Sequence, residues 1–202
     1  MTTAVSADYE RHSSAMFVAM EIYPQMAIKM INDFQPNMVL RTIENDANDK
    51  FKKSLNKSQK KLLSTLRTDG FNKLDISLLC NLIRHFNLVA APSENWGKIP
   101  LATNINQGDD IERMRNNRNF VFHRPKVSLS EEEGDTFFEE SIEIAHRVDN
   151  FNGQSTISFA TQIQNAKYNP HIPEQSRQIL EICPVLQGKF NIPQITEIML
   201  TL

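Results

Sequence analysis

The sequence predicts an all-α fold, and three observations support this prediction. Apolar residues repeat at the spacing of a helix along almost the whole chain, and no segment alternates convincingly as a half-buried strand does. The 202 residues include only 6 glycines, too few for a turn-dense β-sandwich. Hydrophobic residues make up 40% and charged residues 23% of the chain, as in globular proteins. A chain of this length buries a core without a disulfide or a structural metal site.

The N-terminal part of the chain is expected to be helical with one polar interruption. Residues 8–34 are predicted to form one helix, kinked near Pro24 because proline removes a backbone donor. Pro36 suits the first position of a second helix. The polar segment 44–61 is predicted to be a linker that runs into a helix capped by Ser58. This segment holds six lysines, at positions 50, 52, 53, 57, 60 and 61. They are compatible with a solvated helix face or with a phosphate-contacting patch.

Two stronger helices are predicted in the middle of the chain. Residues 75–86 repeat apolar side chains at helical spacing, with Asp75 as the N-cap. In the loop that follows, Trp96 is expected to fill an edge of the core. Residues 109–124 form the next predicted helix, and Pro125 stops it.

The last third of the chain begins with one further strong helix. Ser130 is its predicted N-cap, and it runs to about residue 150. Its first turn consists of Glu131, Glu132 and Glu133. Acidic residues stabilise the positive end of a helix, and this structural role is enough to account for the three glutamates. Three weaker helical segments follow, at residues 155–167, 173–183 and 193–202.

Composition and charge exclude several classes of protein. The net charge is -2 and the pI about 6.2, so any nucleic-acid role must depend on a local patch. Cys80 and Cys183 lie in apolar contexts and are predicted to be buried and reduced. No Cys/His group has the spacing of metal ligands, so neither a metal nor a cofactor is expected. Without a secretory signal or an apolar run of about 18 residues, the chain is expected to be cytoplasmic and to have no membrane contact.

One helix in the middle of the chain carries apolar residues on two sides. On an ideal helix, four of them fall within about 100° of arc, as a core-facing stripe does. These four are Ile111, Met114, Val121 and Phe122. Phe120 lies on the far side, where a solvent-facing residue is expected. The sequence therefore predicts that this helix is buried against its own core and against something else.

The same helix carries a group of polar and basic side chains. Arg118 falls within the core stripe, so it must extend to solvent or find a buried partner. Arg115, Asn119 and His123 are spaced four positions apart and stack along one flank. Arg118 and His123 lie about 140° apart on an ideal helix. They converge only if Arg118 reaches around the helix, if the last turn is distorted, or if a second copy of the helix completes the group. The cations of this region are Arg113, Arg115, Arg118, Arg124 and Lys126, and only Glu112 opposes them.

The stretch Arg118-Asn119-Phe-Val-Phe-His123 resembles the signature of the HEPN superfamily of helical RNases and RNase-like modules. That signature is an arginine, usually followed by a polar residue, with a histidine a few positions later. The wider sequence is similar to an animal HEPN subgroup found in large multidomain proteins, including a RING-type ubiquitin ligase. The subgroup often has a small residue where this chain has Phe122.

The similarity to this subgroup extends beyond the motif, over about residues 55–150. It includes the helix that begins at Asp75, the loop around Trp96, the segment Asp110-Ile-Glu-Arg-Met-Arg and the acidic helix that follows. The resemblance implies a HEPN-like helical bundle with additional C-terminal helices. The chain would then consist of three parts: N-terminal helices packing on the bundle (1–54), the HEPN-like core (55–150) and a C-terminal helical extension (151–202).

The resemblance implies a metal-independent endoribonuclease that cleaves single-stranded RNA as a homodimer. Arg118, Asn119 and His123 would be its catalytic residues. Histidine titrates near neutral pH and serves as base or acid, while arginine stays charged and grips phosphate oxygens. The nucleophile would be the 2′-hydroxyl of the RNA itself. Phe120 would lie at the dimer interface. The predicted RNA contacts are Arg113, Arg115, Arg124 and Lys126.

A second hypothesis from a different class is also open. Members of the subgroup often lie beside other domains in larger proteins. The chain could therefore be a non-catalytic dimerisation or interaction module of a signalling or innate-immune protein, with proteins as its partners. Nucleotide binding is disfavoured because no Gly-rich phosphate loop occurs.

Overall fold

A computed structural model of the chain describes residues 2–31, 33–45, 50–151 and 158–168. Within these ranges the regular structure is helical and no strand occurs, which confirms the all-α prediction. No helix in the described ranges is both long and apolar enough to cross a membrane. The helices predicted at 173–183 and 193–202, together with Cys183, lie outside the described residues.

The N-terminal helix is continuous but changes its winding once. It consists of α1 (Thr2–Phe17), a π-helical turn (Val18–Ile22) and α2 (Tyr23–Met30). At the end of the turn, the N–H of Tyr23 donates to the carbonyl of Val18, five residues back. Pro24 follows immediately, has no N–H to donate and crowds the preceding turn. The irregularity predicted near Pro24 is therefore a π-helical turn directly before the proline.

Four short helical elements and a 3-10 turn follow. They are α3 (Pro36–Glu44), α4 (Lys50–Ser54), α5 (Lys57–Ser64), α6 (Leu66–Asp69) and the 3-10 turn Gly70–Lys73. Pro36 is at the start of α3, as predicted. The prediction that Ser58 caps the next helix was wrong. The cap is Asn56, whose side chain accepts from the N–H of Gln59 at 2.8 Å, while the Gln59 side chain accepts from the N–H of Asn56 at 3.2 Å. This reciprocal pair satisfies two free donors of the helix end.

Four longer helices complete the described structure. They are α7 (Ile76–Phe86), α8 (Gln107–Phe122), α9 (Glu131–Asp149) and α10 (Phe159–Tyr168). Asp75 and Ser130 cap α7 and α9, as predicted. Helix α8 begins two residues earlier than predicted because Asn106 and Asp109 form a capping box. The segment predicted at 155–167 corresponds to α10.

Helix α8 packs against helical elements on several sides. It contacts α1, the π-helical turn, α2, α7 and α9. Ile111, Met114 and Val121 are buried and Phe122 packs against the core, so the predicted apolar stripe is confirmed. Trp96 packs at the edge of the same core, as predicted. Cys80 is buried and reduced, and burial raises the pKa of its thiol to about 12.

We expect Val121→Asp to unfold the protein. Val121 is 1% exposed, and an unpaired carboxylate at such a position costs on the order of several kcal/mol. The matched control is Phe120→Asp, because Phe120 is the neighbouring residue on the same helix and is 41% exposed. Circular dichroism and thermal unfolding of both variants are the measurement. A soluble, fully helical Val121→Asp protein would contradict the orientation of α8.

Candidate functional site

The end of α8 brings Arg118, Asn119 and His123 into one contact group. Nη1 of Arg118 donates to Oδ1 of Asn119 at 3.2 Å and lies 3.4 Å from Nε2 of His123. An ideal helix would separate Arg118 and His123, but the helix ends at this point. His123 is the C-cap residue, with φ -100° and ψ 17°, and its N–H donates to the carbonyl of Asn119. The convergence therefore occurs within one chain and needs no second copy of the helix.

Arg118 is half-buried and lies against an aromatic ring. Its guanidinium carbon is 4.2 Å from the centre of the Phe122 ring. Burial lowers the pKa of Arg118, and the negative charge of Asp75 opposes this shift. Arginine nevertheless stays protonated at neutral pH. The ring thus orients a permanent cation towards Asn119 and His123.

The contact between Arg118 and His123 selects one form of the imidazole. A guanidinium only donates hydrogen bonds, so Nε2 can accept from it only while Nε2 carries no proton. The neutral imidazole then has its proton on Nδ1. His123 is exposed, so its ring is open to a ligand from solvent. In this form Nε2 is a base beside a fixed positive charge.

Arg113 is buried, although the sequence predicted it on an exposed surface that contacts RNA. Its side chain is 6% exposed and pairs with Asp110 at 3.1 Å. It also donates to the carbonyls of Leu101 and Asn104 at 2.7 and 2.6 Å. The prediction that Arg113 contacts RNA was wrong, because the loop formed by residues 87–106 covers this side of α8. We refer to it as the 87–106 loop.

The other predicted RNA contacts are partly engaged by acids. Arg115 donates to Glu112 at 2.8 Å and is 32% exposed. Arg124 is 17% exposed and donates from Nη2 to both carboxylate oxygens of Glu133 at 2.8 Å. Lys126 is exposed. Two of these three cations are therefore already neutralised by a carboxylate.

Phe120, the predicted dimer-interface residue, lies on the surface beside this pair. It is 41% exposed, and the guanidinium of Arg124 lies 4.7 Å from the centre of its ring. The hydrogen bonds from Arg124 lower the pKa of Glu133. The connection between α8 and α9 is thus fixed by one arginine that contacts both helices.

Sequence analysis missed a group of buried charges in the first half of α8. The centre of this group is Asp110, whose side chain is 3% exposed. Arg147 of α9 donates to its two oxygens at 2.9 and 2.7 Å, and Arg113 donates as well. The hydrogen bonds to Asp110 raise the pKa of Arg147. From the sequence, Asp110 was placed only at the start of the predicted helix, and that position did not indicate a buried partner.

Two further acids of α8 bind the backbone of the 87–106 loop. Asp109 accepts from the N–H and hydroxyl of Ser93 at 2.7 and 2.9 Å. Glu112 accepts from the N–H of Gly97 at 3.0 Å. Gly108 permits the close approach, because a Cβ there would overlap the backbone of residues 90–92. In the described part of the chain no three His, Cys, Asp or Glu side chains are grouped as metal ligands.

His12 is a second residue that sequence analysis missed. It lies on α1, is 6% exposed, and its Nε2 is 3.2 Å from the carbonyl of Val121. Burial lowers the pKa of His12, and the positive charge of Arg124 lowers it further. His12 is therefore neutral near pH 7 and donates from Nε2 to that carbonyl. The contact joins α1 to the end of α8 that carries His123.

We expect Asp110→Asn to destabilise the protein strongly. The variant removes the carboxylate that two arginines share, one of them buried, and removing one partner of a buried ion pair costs about 3–5 kcal/mol. The matched control is Glu44→Gln, which removes an ion pair with Arg67 whose side chains are 46% and 67% exposed. Exposed pairs contribute only about 0–1 kcal/mol. Urea unfolding measures both free energies, and equal losses would contradict the structural role of Asp110.

Comparison with known proteins gives one match. A model of the DZIP3/hRUL138-like HEPN family matches residues 35–174. The matched range includes α3 to α10 and the three residues of the contact group, while α1 and α2 precede it. No curated protein and no solved structure matches the chain.

Proposed function

The chain belongs to the DZIP3/hRUL138-like HEPN family, and on this premise we propose that it is an endoribonuclease that cleaves single-stranded RNA without a metal ion. The observation that carries the proposal is the contact of Arg118 with both Asn119 and His123 at the end of α8. The group combines a permanent cation with an imidazole nitrogen that can accept a proton. Cleavage of RNA by its own 2′-hydroxyl requires these two properties.

The proposed reaction begins when a phosphate oxygen of the RNA replaces His123 as the acceptor of Arg118. Nε2 of His123 then takes the proton of the 2′-hydroxyl. The 2′-oxygen forms a bond to phosphorus, and the bond from phosphorus to the 5′-oxygen breaks. Arg118 stabilises the charge that develops on the phosphate oxygens. The products are a 2′,3′-cyclic phosphate and, after protonation of the leaving oxygen, a 5′-hydroxyl.

The leaving 5′-oxygen needs a proton from a second group, and this supports a homodimer. One chain supplies a single His123 at the site. A two-fold dimer that joins the ends of two α8 helices supplies a second His123, in its protonated form. A closed two-fold interface brings the same patch of both copies together. Phe120 favours this arrangement because it exposes an aromatic ring two residues beyond Arg118.

The alternative function is a non-catalytic protein-interaction module, and one observation favours it. The 87–106 loop exposes three branched apolar side chains: Ile99 at 79%, Leu101 at 59% and Ile105 at 59%. Its backbone is fixed by Glu112 and Arg113. Apolar side chains on a fixed, exposed loop suit recognition of another protein. The cleavage experiment separates the two functions.

We expect single-stranded RNA to be cleaved in the presence of EDTA with a 2′,3′-cyclic end. His123→Ala should lower the rate about 10²–10⁴-fold, the usual contribution of a general acid–base group. Arg118→Lys should also be defective because an ammonium group cannot bind phosphate oxygens in a fork. The matched control is His146→Ala, since His146 is an exposed histidine of α9. Gel analysis of end-labelled RNA gives the rates.

Two outcomes would overturn the mechanism. The first is loss of cleavage on addition of EDTA. The second is equal cleavage of RNA that is 2′-O-methylated at every position, because such RNA has no internal nucleophile. If neither RNA is cleaved, the interaction-module hypothesis replaces the enzyme.

We expect a homodimer of twice 23.2 kDa in sedimentation equilibrium at tens of micromolar protein. Phe120→Asp should shift it to the monomer because a charge would enter the proposed interface. Tyr168→Asp is the control, since Tyr168 is 73% exposed and lies on α10. A wild-type protein that sediments as a monomer without RNA would contradict the dimer.

A further inference from the structure

A strong concentration of positive charge lies outside the Arg118 group, in residues 50–73. This segment carries eight lysines and arginines and one acid, Asp69, in a chain of net charge -2. Lys57, Lys60 and Lys61 lie on one face of α5, because residues three and four positions apart are neighbours on a helix. We call these three residues the α5 lysine face. All three are exposed, and none pairs with a carboxylate in the part of the chain that the structure describes.

The opposite side of α5 fixes the helix to the core. Leu63 is 6% exposed and Leu62 packs against the core. The capping box of Asn56 and Gln59 fixes the start of the helix. The three lysines are thus displayed from an ordered helix.

The cations closest to the proposed catalytic group have limited capacity for RNA. Arg113 is interior, and Arg115 and Arg124 are held by Glu112 and Glu133. Only Lys126 of the predicted RNA contacts is exposed rather than buried or half-buried. A strand of RNA therefore needs positive charge from another surface to remain bound at Arg118. The segment 50–73 carries positive charge of the kind that this binding requires.

The basic segment precedes α7, which packs against α8. It ends at the exposed Lys73, two residues before Asp75. The carboxylate of Asp75 is close enough to Arg118 to influence its pKa. On α9, the first turn carries three glutamates instead, which repel a polyanion. The charge distribution favours a strand that follows the segment 50–73 over one that follows the start of α9.

We propose that the α5 lysine face binds the phosphate backbone of RNA and guides the strand to Arg118 and His123. This proposal rests on the proposed function. The aromatic residues of the segment, Phe51 and Phe71, are 1% and 6% exposed, so neither ring can stack on a base. Recognition here is therefore by charge and independent of sequence. The apolar side chains Leu55 and Leu66 are buried too, whereas a helix that binds a membrane exposes an apolar face.

The test is binding of the full chain to fluorescently labelled single-stranded RNA that is 2′-O-methylated and cannot be cleaved. We compare the wild type with Lys57→Gln/Lys60→Gln/Lys61→Gln over a series of salt concentrations by anisotropy. Each phosphate contact on a single strand contributes about 0.7 to the slope of log affinity against log salt. Loss of three contacts should lower the slope by about 2 and the affinity about a hundredfold at about 0.1 M salt.

Two controls separate local charge from other effects. Lys57→Arg/Lys60→Arg/Lys61→Arg keeps the positive charge and should bind as the wild type does. A single Lys60→Gln should bind more weakly than Lys98→Gln, which makes the same charge change at an exposed lysine of the 87–106 loop. Circular dichroism verifies that each variant is folded.

The proposal is overturned if the triple Gln variant keeps the wild-type affinity and salt slope, or if Lys98→Gln weakens binding as much as Lys60→Gln. It is also overturned if the wild type binds phosphatidylserine vesicles but not RNA. Cleavage is scored separately on unmodified RNA. If RNA binding depends on the lysines but no RNA is cleaved, the proposed enzymatic activity is refuted and the proposed RNA-binding surface stands. If RNA is cleaved at the same rate with and without the lysines, the proposed enzymatic activity stands and the proposed RNA-binding surface is refuted.

Discussion

The structure depends on the buried carboxylates in the first half of α8. Asp109, Asp110 and Glu112 are all buried, and each accepts hydrogen bonds from a different partner. Asp110 joins α8 to α9 through Arg147, while the other two bind the backbone of the 87–106 loop. Buried charges are tolerated only when their partners are in place. The loop, α8 and α9 must therefore come together in one arrangement, which gives the bundle a unique packing around a polar helix.

This constraint separates α8 into a fixed, buried half and an exposed end. Gly108 to Met114 are buried without interruption, so the helix cannot rotate. The end of the helix at His123 is exposed, and it carries the group that combines a cation with a base. His12 joins α1 to the carbonyl of Val121 close to this end. The position of Arg118 is thus determined by the core, while His123 lies where a ligand can reach it.

Most of the fold could be predicted from the sequence because its signals are local. Caps such as Asp75 and Ser130, and the apolar stripe of α8, depend only on residues a turn or two apart. The contact between Arg118 and His123 could be predicted only conditionally, because it forms only if the helix ends at His123. Arg113 was misplaced for a different reason. Its burial depends on the 87–106 loop, which shows no helical periodicity in the sequence. The carbonyls of Leu101 and Asn104, which accept its hydrogen bonds, are backbone groups, and a pattern of residue types does not predict their positions.

In the proposed mechanism, the contacts of Arg118 would let one arginine serve two states of the site. Nη1 of Arg118 has two acceptors, Oδ1 of Asn119 and the unprotonated Nε2 of His123, so the partly desolvated cation is not left without acceptors. A phosphate oxygen is a charged acceptor and forms stronger hydrogen bonds with a guanidinium than a neutral imidazole does. Arrival of a phosphate would therefore draw Arg118 away from His123 and leave Nε2 free to take a proton. Once His123 is protonated, it can no longer accept from Arg118, and repulsion between the two cations favours passing that proton on. The same contact would then keep Nε2 of His123 unprotonated before the substrate binds, and the repulsion would favour release of the proton after it has been taken up.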